Sequence, residues 1–123
     1  MRVPAFLKPK TAKQLIGQSG EDDALAYLQQ QDLVLVERNF LCKGGEIDLV
    51  MQDRDVLVFI EVRKRADKQH GGAAASITPA KQRRLIVAAQ RYLQRYKMPP
   101  PCRFDVIAID ADEFVWLKNA IDA

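Results

Sequence analysis

Residues 45–64 have the sequence GEIDLVMQDRDVLVFIEVRK, and this stretch decides the fold. Two runs in it, Glu46 to Gln52 and Val56 to Lys64, are rich in Val, Ile, Leu or Phe, a composition typical of β-strands. The polar run Gln52 to Asp55 lies between them and predicts a hairpin connection. We therefore expect two antiparallel strands joined by a tight turn.

Acidic residues interrupt both of these apolar strands. Side chains alternate between the two faces of a strand, so Glu46 and Asp48 share one face of the first strand. By the same rule Glu61 and Arg63 share one face of the second strand. Glu61 is notable because it lies where a strand is normally buried.

The expected position of the turn decides whether these acids meet. With the tip at residues 53–54, Asp48 lies across from Phe59 and Glu46 lies across from Glu61. Three carboxylates and Arg63 would then lie on one face of the hairpin. The opposite face would carry the apolar side chains of Ile47, Leu49, Ile60 and Val62.

A cluster of carboxylates is costly unless a cation or a basic side chain compensates it. Hard oxygen ligands favour magnesium, manganese or calcium over zinc, so Asp48, Glu61 and Glu46 are candidate metal ligands. A plainer interpretation places Glu46 and Asp48 on a solvated face, with Glu61 paired to Arg63 or to another arginine. The pattern alone leaves both interpretations open.

The residues before the hairpin predict a helix and a further strand. Apolar residues recur at helical spacing from Thr11 to Gln31, and Gly17 and Gly20 indicate an irregular first half. The well-formed part is expected from Gly20 to Gln30, and a strand is expected from Leu33 to Arg38.

Glu21 lies on the helix face that should meet the sheet. Together with Ala24, Leu25 and Leu28 it follows the i, i+3, i+4, i+7 spacing of one helix face. A carboxylate there could approach the acids of the hairpin. The alternative is that Glu21 simply occupies the first turn of a helix, where acids are favoured by the helix dipole.

The residues after the hairpin predict a loop, a second helix and one or two strands. Ala66 to Ser76 has no regular pattern and is expected to be a mobile loop. Thr78 is a plausible helix cap before Pro79, and an amphipathic helix should run to about Tyr96. Strands are expected at Arg103 to Asp110 and, at an edge, Phe114 to Leu117.

The predicted element order is therefore α-β-β-β-α-β, with an optional last strand. Hairpin-linked strands followed by a helical crossover favour an α/β fold with a mixed β-sheet flanked by helices. At 123 residues the chain is the size of one domain. We expect a flexible N-terminal arm at 1–10, a single domain at 11–118 and a tail at 119–123.

Basic residues follow one side of the second predicted helix. Its core face should contain Leu85, Ala89, Tyr92, Leu93 and Tyr96. Beside it, at helical spacing, lie four cations that are candidates for nucleic-acid binding: Lys81, Arg84, Arg91 and Arg95. An ordinary solvated helix face would have the same pattern.

The overall composition excludes several classes of protein. The net charge of +3 is compatible with a polyanionic partner. Cys42 and Cys102 form no C-x-x-C pair, which indicates reduced thiols in a cytoplasmic protein. No segment is long and apolar enough to cross a membrane, so no membrane partner is expected. The sequence also lacks a Walker loop, a nucleophile elbow, a dinucleotide fingerprint and a zinc motif.

Several short motifs occur in an order that resembles the bacterial YraN family of uncharacterised proteins, uncharacterised protein family 0102. The similarity runs from about Gly17 to Asp110. The residues that carry it are Gly20-Glu21, Arg38-Asn39, Gly45-Glu46-Ile47-Asp48-Leu49, Phe59-Ile60-Glu61-Val62, Arg65, Lys81 and Arg103-Phe104-Asp105-Val106.

This resemblance implies a restriction-endonuclease-like core similar to that of Holliday-junction resolvases. In that pattern an acid on one strand and an (Asp/Glu)-x-Lys tripeptide on the next bind Mg²⁺ or Mn²⁺, and here they correspond to Asp48 and to Glu61-Val62-Arg63. Glu21 corresponds to an additional helix glutamate. The resemblance implies Asp48, Glu61, Arg63 and Glu21 as catalytic residues, and a homodimer that acts on DNA.

The tripeptide departs from the pattern because arginine occupies the lysine position. Arg63 could stabilise negative charge, but it stays protonated and is a poor general base. Three functions are therefore compatible with the sequence. They are a metal-dependent endonuclease, a catalytically inactive nucleic-acid-binding module of the same fold, and a structural protein with no nucleic-acid partner.

Overall fold

A computed structural model describes residues 12–65, 77–110 and 113–121 of the chain. The predicted arm at 1–10 and the predicted loop at 66–76 lie outside these residues. The regular elements are α1 (Ala12–Gln30), β1 (Val34–Cys42), β2 (Gly45–Asp53), β3 (Val56–Arg65), α2 (Pro79–Leu93), β4 (Cys102–Asp110) and β5 (Glu113–Leu117). This order is the predicted one, including the optional last strand.

The strands form one five-stranded sheet in the order β1-β2-β3-β4-β5. Neighbouring strands are antiparallel except for β3 and β4, which are parallel. A parallel pair needs a crossover connection, and α2 lies within the segment that joins β3 to β4. The predicted mixed sheet is therefore confirmed.

The two helices cover opposite faces of this sheet. One core lies under α2 and joins Leu85 and Tyr92 to Val50, Phe59 and other sheet residues. The other lies under α1 and joins its residues Ala24 and Leu28 to the opposite side of the same strands. Because each helix buries one face, the central strands β2, β3 and β4 are largely apolar on both sides. Within the described residues, no helix is long and apolar enough to span a membrane.

The second helix begins as its sequence predicts. Thr78 is the N-cap, its hydroxyl accepts a hydrogen bond from the Lys81 backbone N–H at 3.2 Å, and Pro79 begins the helix. Gly45, at the start of β2, lets this helix pack closely on the sheet. A Cβ at Gly45 would lie 2.1 Å from the Arg84 carbonyl oxygen, so only glycine fits there without a backbone shift.

The first helix has nearly the predicted bounds and is more regular than predicted. It is continuous from Ala12 to Gln30, so the predicted interruption at Gly17 and Gly20 is wrong. A Cβ at Gly20 would meet the Lys64 side chain at 3.1 Å. The glycine therefore serves close packing between α1 and the end of β3, and this tertiary packing outweighs its low helix propensity.

The β2–β3 hairpin has a different register from the one predicted. Asp53 pairs with Val56, so the connection consists of Arg54 and Asp55, with Arg54 in the left-handed region at φ 57°. The predicted pairs of Asp48 with Phe59 and Glu46 with Glu61 are therefore wrong. Phe59 pairs with Val50 and Ile60 pairs with Leu49, so the next residues of the two strands, Asp48 and Glu61, lie beside each other.

The predicted apolar face of the hairpin is correct for three of its four residues. Leu49, Ile60 and Val62 pack in the core under α1. Ile47 packs instead in the core under α2, together with Val50. Ile47 and Leu49 therefore face opposite sides of the sheet, although regular alternation would place them on the same side. The strand is thus locally irregular at Asp48.

Residues 119–121, which fall in the predicted tail at 119–123, pack against the sheet, and residues 122–123 lie outside the described residues. The Ala120 N–H donates a hydrogen bond to the Phe104 carbonyl at 2.8 Å, and Ile121 is buried. The Asn119 N–H donates to Asp105 Oδ1 at 2.8 Å. Ile121 packs in the core under α2 together with Phe104 of β4, so residues 119–121 are part of the folded domain.

Candidate active site

The candidate site lies where β2 and β3 separate. Their ladder ends at the pair Leu49 and Ile60, and beyond it β2 pairs only with β1 while β3 pairs only with β4. At the fork the Val62 backbone N–H donates its hydrogen bond to Asp48 Oδ2 at 2.8 Å. A side chain thus replaces a strand carbonyl as acceptor, and this contact holds the Asp48 carboxylate between the strands.

Asp48 and Glu61 form a hydrogen-bonded pair of carboxyl groups. Burial, followed by the charge of Asp48, raises the pKa of Glu61 to about 8. Burial also raises the pKa of Asp48, although its hydrogen bonds from Val62 and Glu61 oppose that effect. The two carboxyl groups therefore share one proton near neutral pH, and the pair as a whole carries a single negative charge.

A cleft of about 160 Å³ opens between this acid pair and α2. Its described lining consists of Glu46, Glu61, Arg63, Lys81 and Arg84. The Arg63 guanidinium lies 3.4 Å from Glu61 Oε1, an ion pair in which Glu61 is only 13% exposed. The structure thus brings two carboxylates and three cations together in a single cleft.

On the α1 side of the fork, Glu21 also interacts with Asp48. Burial, followed by the charge of Asp48, raises the pKa of Glu21 to about 7, while Arg38 and Asn39 oppose this shift. Arg38 Nη2 lies 3.8 Å from Glu21 Oε1 and 2.7 Å from Asp22 Oδ1. Of the buried side-chain atoms in the described part of the chain, Glu21 Oε1 is one that has no hydrogen-bond partner.

Arg38 and Asn39 are site residues whose role was not predicted from the sequence. Asn39 has a left-handed backbone at φ 53°, which breaks the alternation of β1, so that both side chains interact with Glu21. One feature of the sequence could have indicated this break: a charged residue is followed by asparagine inside an apolar strand. Asparagine tolerates the left-handed backbone better than most residues do.

The predicted basic stripe of α2, which consists of Lys81, Arg84, Arg91 and Arg95, is divided into two separate parts. Gly45 packs against Arg84 and against Ala88, which is fully buried in the middle of the stripe. Lys81 and Arg84 lie on the cleft side of this contact. Arg95 lies two turns further on, with its guanidinium 3.7 Å from the Tyr92 ring centroid and 3.3 Å from Glu37 Oε1.

Arg91 is exposed near the end of the same helix. It does not line the acid cleft, whose described lining from α2 is limited to Lys81 and Arg84. The structure thus joins two of the four predicted nucleic-acid-binding residues to the acids, and it leaves Arg91 and Arg95 apart from them.

The donor chemistry of the fork fits a hard divalent cation held by few protein ligands. Among the described residues, no group of three or more His, Cys, Asp or Glu side chains is arranged to hold a metal. Mg²⁺ is commonly bound by only one or two carboxylates, with water and substrate phosphate completing its shell. Asp48 and Glu61 can supply such a pair, and the exposed Glu46 lines the same cleft.

Comparisons with known proteins assign the chain to a family. Residues 20–109 match the model described as "Uncharacterised protein family UPF0102". A UPF0102 protein from Herminiimonas arsenicoxydans is 75% identical, and one from Janthinobacterium sp. (strain Marseille) is 73% identical, each over the full length of both chains. A third, from Methylibium petroleiphilum, is 54% identical over 88% of this chain and 94% of its own. The chain belongs to the UPF0102 family.

Proposed function

We propose that this protein is a divalent-metal-dependent, endonuclease-like phosphodiesterase that binds and hydrolyses DNA. The observation that carries the proposal is that Glu61, which is hydrogen-bonded to Asp48, lines one cleft together with Lys81 and Arg84. Phosphodiester hydrolysis requires both a hard-metal ligand set and cations that hold the phosphate. The mixed sheet with helices on both faces is compatible with the restriction-endonuclease-like core that the sequence resembles.

In this proposal Asp48 and Glu61 hold Mg²⁺ or Mn²⁺, and Glu46 or Glu21 completes the carboxylate set. The bound cation would supply Lewis-acid stabilisation of charge at the phosphate. A cation can bind both carboxylates only when neither is protonated. Glu61 and Asp48 must therefore release the proton that they share before the cation binds. The Val62 N–H keeps Asp48 oriented throughout.

The cleft cations act on the substrate. Lys81 and Arg84 bind non-bridging phosphate oxygens and hold the backbone over the acid pair. Arg63 is placed beside Glu61 and stabilises the negative charge that develops when water attacks phosphorus and the P–O bond to the leaving oxygen breaks. Its guanidinium does not act as the base, because it stays protonated.

A second candidate function is a catalytically inactive module that binds nucleic acid through the same cleft. The contact between Arg63 and Glu61 favours it, since this guanidinium balances the single negative charge of the proton-sharing acid pair without a metal. Both functions fit the cytoplasm, and the two cysteines, Cys42 and Cys102, are unpaired thiols as predicted. A homodimer is part of the same proposal and rests on the resemblance alone.

A cleavage assay tests the two functions against each other. Labelled branched, flapped, single-stranded and duplex DNA is incubated with Mg²⁺ or Mn²⁺ and with parent, Asp48→Asn or Arg63→Lys protein, after circular dichroism shows that each is folded. We expect Asp48→Asn to lose metal binding and cleavage, because an amide is a weak ligand for a hard cation. We expect Arg63→Lys to raise cleavage, because it introduces a titratable amine.

Two outcomes would change the assignment. If Asp48→Asn binds metal and cuts like the parent, the site is misplaced. If no variant cuts any substrate while the parent binds DNA through Lys81 and Arg84, the inactive module is the correct function.

A further inference from the structure

A second groove lies at the opposite end of the sheet from the acid cleft. It has a volume of about 530 Å³, within the range of ligand sites. Its walls are the β2–β3 turn on one side and the end of β5 on the other, and the start of β4 lies between them. The residues that line it are Gln31, Leu33, Asp53, Arg54, Asp55, Val56, Arg103, Trp116 and Lys118.

The Trp116 indole is fixed in this groove by three neighbours. Its Nε1–H donates a hydrogen bond to Asp105 Oδ2 at 2.9 Å. Tyr27 meets the indole edge-to-face with ring centroids 6.4 Å apart, and Lys118 Nζ lies 4.3 Å from the ring centroid. A half-buried aromatic ring that is held in place and already accepts a cation is a stable surface for stacking.

The charged residues of the groove favour an anionic ligand. Three cations and two carboxylates line it, and Arg103 is paired with Asp53 at 3.0 Å, so Arg54 and Lys118 face only the remaining carboxylate of Asp55. Arg103 is fixed as well by Asp105, so it forms a rigid floor. The exposed cations Arg54 and Lys118 lie at the two edges of the groove, and neither forms an ion pair with an acid in the part of the chain that the structure describes.

We propose that this groove binds one unpaired nucleotide of a single-stranded nucleic acid. The base packs against the Trp116 indole in place of the Lys118 ammonium, and the phosphate binds between Arg54 and Lys118. Stacking on an aromatic ring beside cations is the general chemistry of single-strand recognition and tolerates any base. In duplex DNA the bases are already stacked on each other, so a duplex cannot offer one to the indole.

This contact is separate from the proposed active site and goes beyond it. The groove includes Val56 and the acid cleft includes Glu61, which lie about 17 Å apart along β3 at a rise of about 3.3 Å per residue. Binding at the groove therefore needs neither metal nor the acid pair. The groove would bind an unpaired strand whether or not the cleft hydrolyses one.

The experiment uses the fluorescence of Trp116, the only tryptophan in the chain. The full-length protein is titrated with an oligothymidine of about eight nucleotides and, separately, with a duplex of equal length. We expect the single strand to quench the fluorescence with an affinity that falls as salt rises, and we expect the duplex to leave it unchanged. Equal quenching by the duplex, or no quenching by the single strand, would overturn the proposal.

Charge variants then locate the phosphate. Lys118→Gln and Arg54→Asn should each weaken binding several-fold and reduce the salt slope of log K by about 0.7, as expected for one lost phosphate contact. Asparagine is chosen at position 54 because it tolerates the left-handed backbone. Lys97→Gln, a surface cation outside the groove, is the matched control, and equal losses in all three variants would refute the assigned phosphate position.

The acid site is tested in the same titration. Asp48→Asn should quench like the parent, because the groove does not depend on the fork. Quenching by the single strand without any metal-dependent cleavage would leave the groove intact and refute the nuclease. Metal-dependent cleavage without quenching would support the nuclease and refute the nucleotide-binding groove. Each proposal can therefore fail without the other.

Discussion

Replacement of Glu61 by glutamine should stabilise the protein near neutral pH, although Glu61 is a central residue of the proposed site. Its side chain is only 13% exposed, and burial together with Asp48 raises its pKa from 4.5 to about 8. Between these values the unfolded chain has lost a proton that the folded protein retains. Stability therefore falls as pH rises through this window, and glutamine removes the effect because it does not ionise.

The magnitude follows from the width of the window. One pH unit corresponds to about 1.36 kcal/mol, and about 2.5 units separate 4.5 from neutral pH, which gives roughly 3 kcal/mol as an upper value. A weaker hydrogen bond from Arg63 to the replaced side chain offsets part of this gain. We expect Glu61→Gln to be more stable than the parent by about 1–3 kcal/mol near pH 7 and nearly equal to it near pH 4.5.

Urea unfolding followed by circular dichroism measures this difference at several pH values in a chelating buffer. Asp32→Asn is the matched control, because it makes the same carboxylate-to-amide change at an exposed position and keeps a residue that tolerates φ 71°. It should change stability by less than about 0.5 kcal/mol. A glutamine variant that is less stable than the parent near pH 7, or a gain that does not vary with pH, would refute the reasoning.

Three other perturbations test the cleft, the helix packing and the buried acid of β4. Charge reversal of Lys81 and Arg84 should weaken DNA binding and lower its salt slope, whereas reversal of Arg91 should have a smaller effect because it lies away from the acids; titration at two salt concentrations compares them. Gly45→Ala should cost about 1–3 kcal/mol in urea unfolding, because its Cβ would lie 2.1 Å from a backbone oxygen of α2. Asp105→Asn should cost about 1–3 kcal/mol, because the amide cannot accept all the hydrogen bonds that Arg103, Trp116 and Asn119 donate to the buried carboxylate.

The order of helices and strands could be predicted because each element has a clear periodicity. The central strands are apolar runs bounded by polar turns, and the Thr78 cap with Pro79 defines the start of α2. The register of the hairpin could not be predicted, since four consecutive polar residues allow more than one turn position and Arg54 is an unusual residue at positive φ. The error was two residues, which preserves the faces, so the acids still meet.

The parts of the site that escaped prediction depend on contacts between distant segments. No local pattern indicates that the start of β2 packs across the basic residues of α2 at Ala88, because these basic residues have regular spacing. The same holds for Asn39, whose left-handed backbone breaks the alternation of β1 beside Glu21. Periodicity identifies the face of an element, whereas the neighbour of that face is decided by tertiary packing.

The acids of this protein are satisfied to very different degrees, and the difference separates structure from proposed function. Asp105 is fully buried, yet it accepts hydrogen bonds from Arg103, from the Trp116 indole and from the Asn119 N–H. At the fork, Glu61 shares a proton with Asp48, and Glu21 Oε1 has no hydrogen-bond partner. The fold therefore provides several hydrogen-bond donors to the buried carboxylate of Asp105, but it provides few to the acids at the fork between β2 and β3. Acids with a purely structural role are expected to be fully hydrogen-bonded, as Asp105 is, because unsatisfied buried acids lower stability. Carboxylates that keep free lone pairs at such a cost are suited to accept a cation from outside the protein.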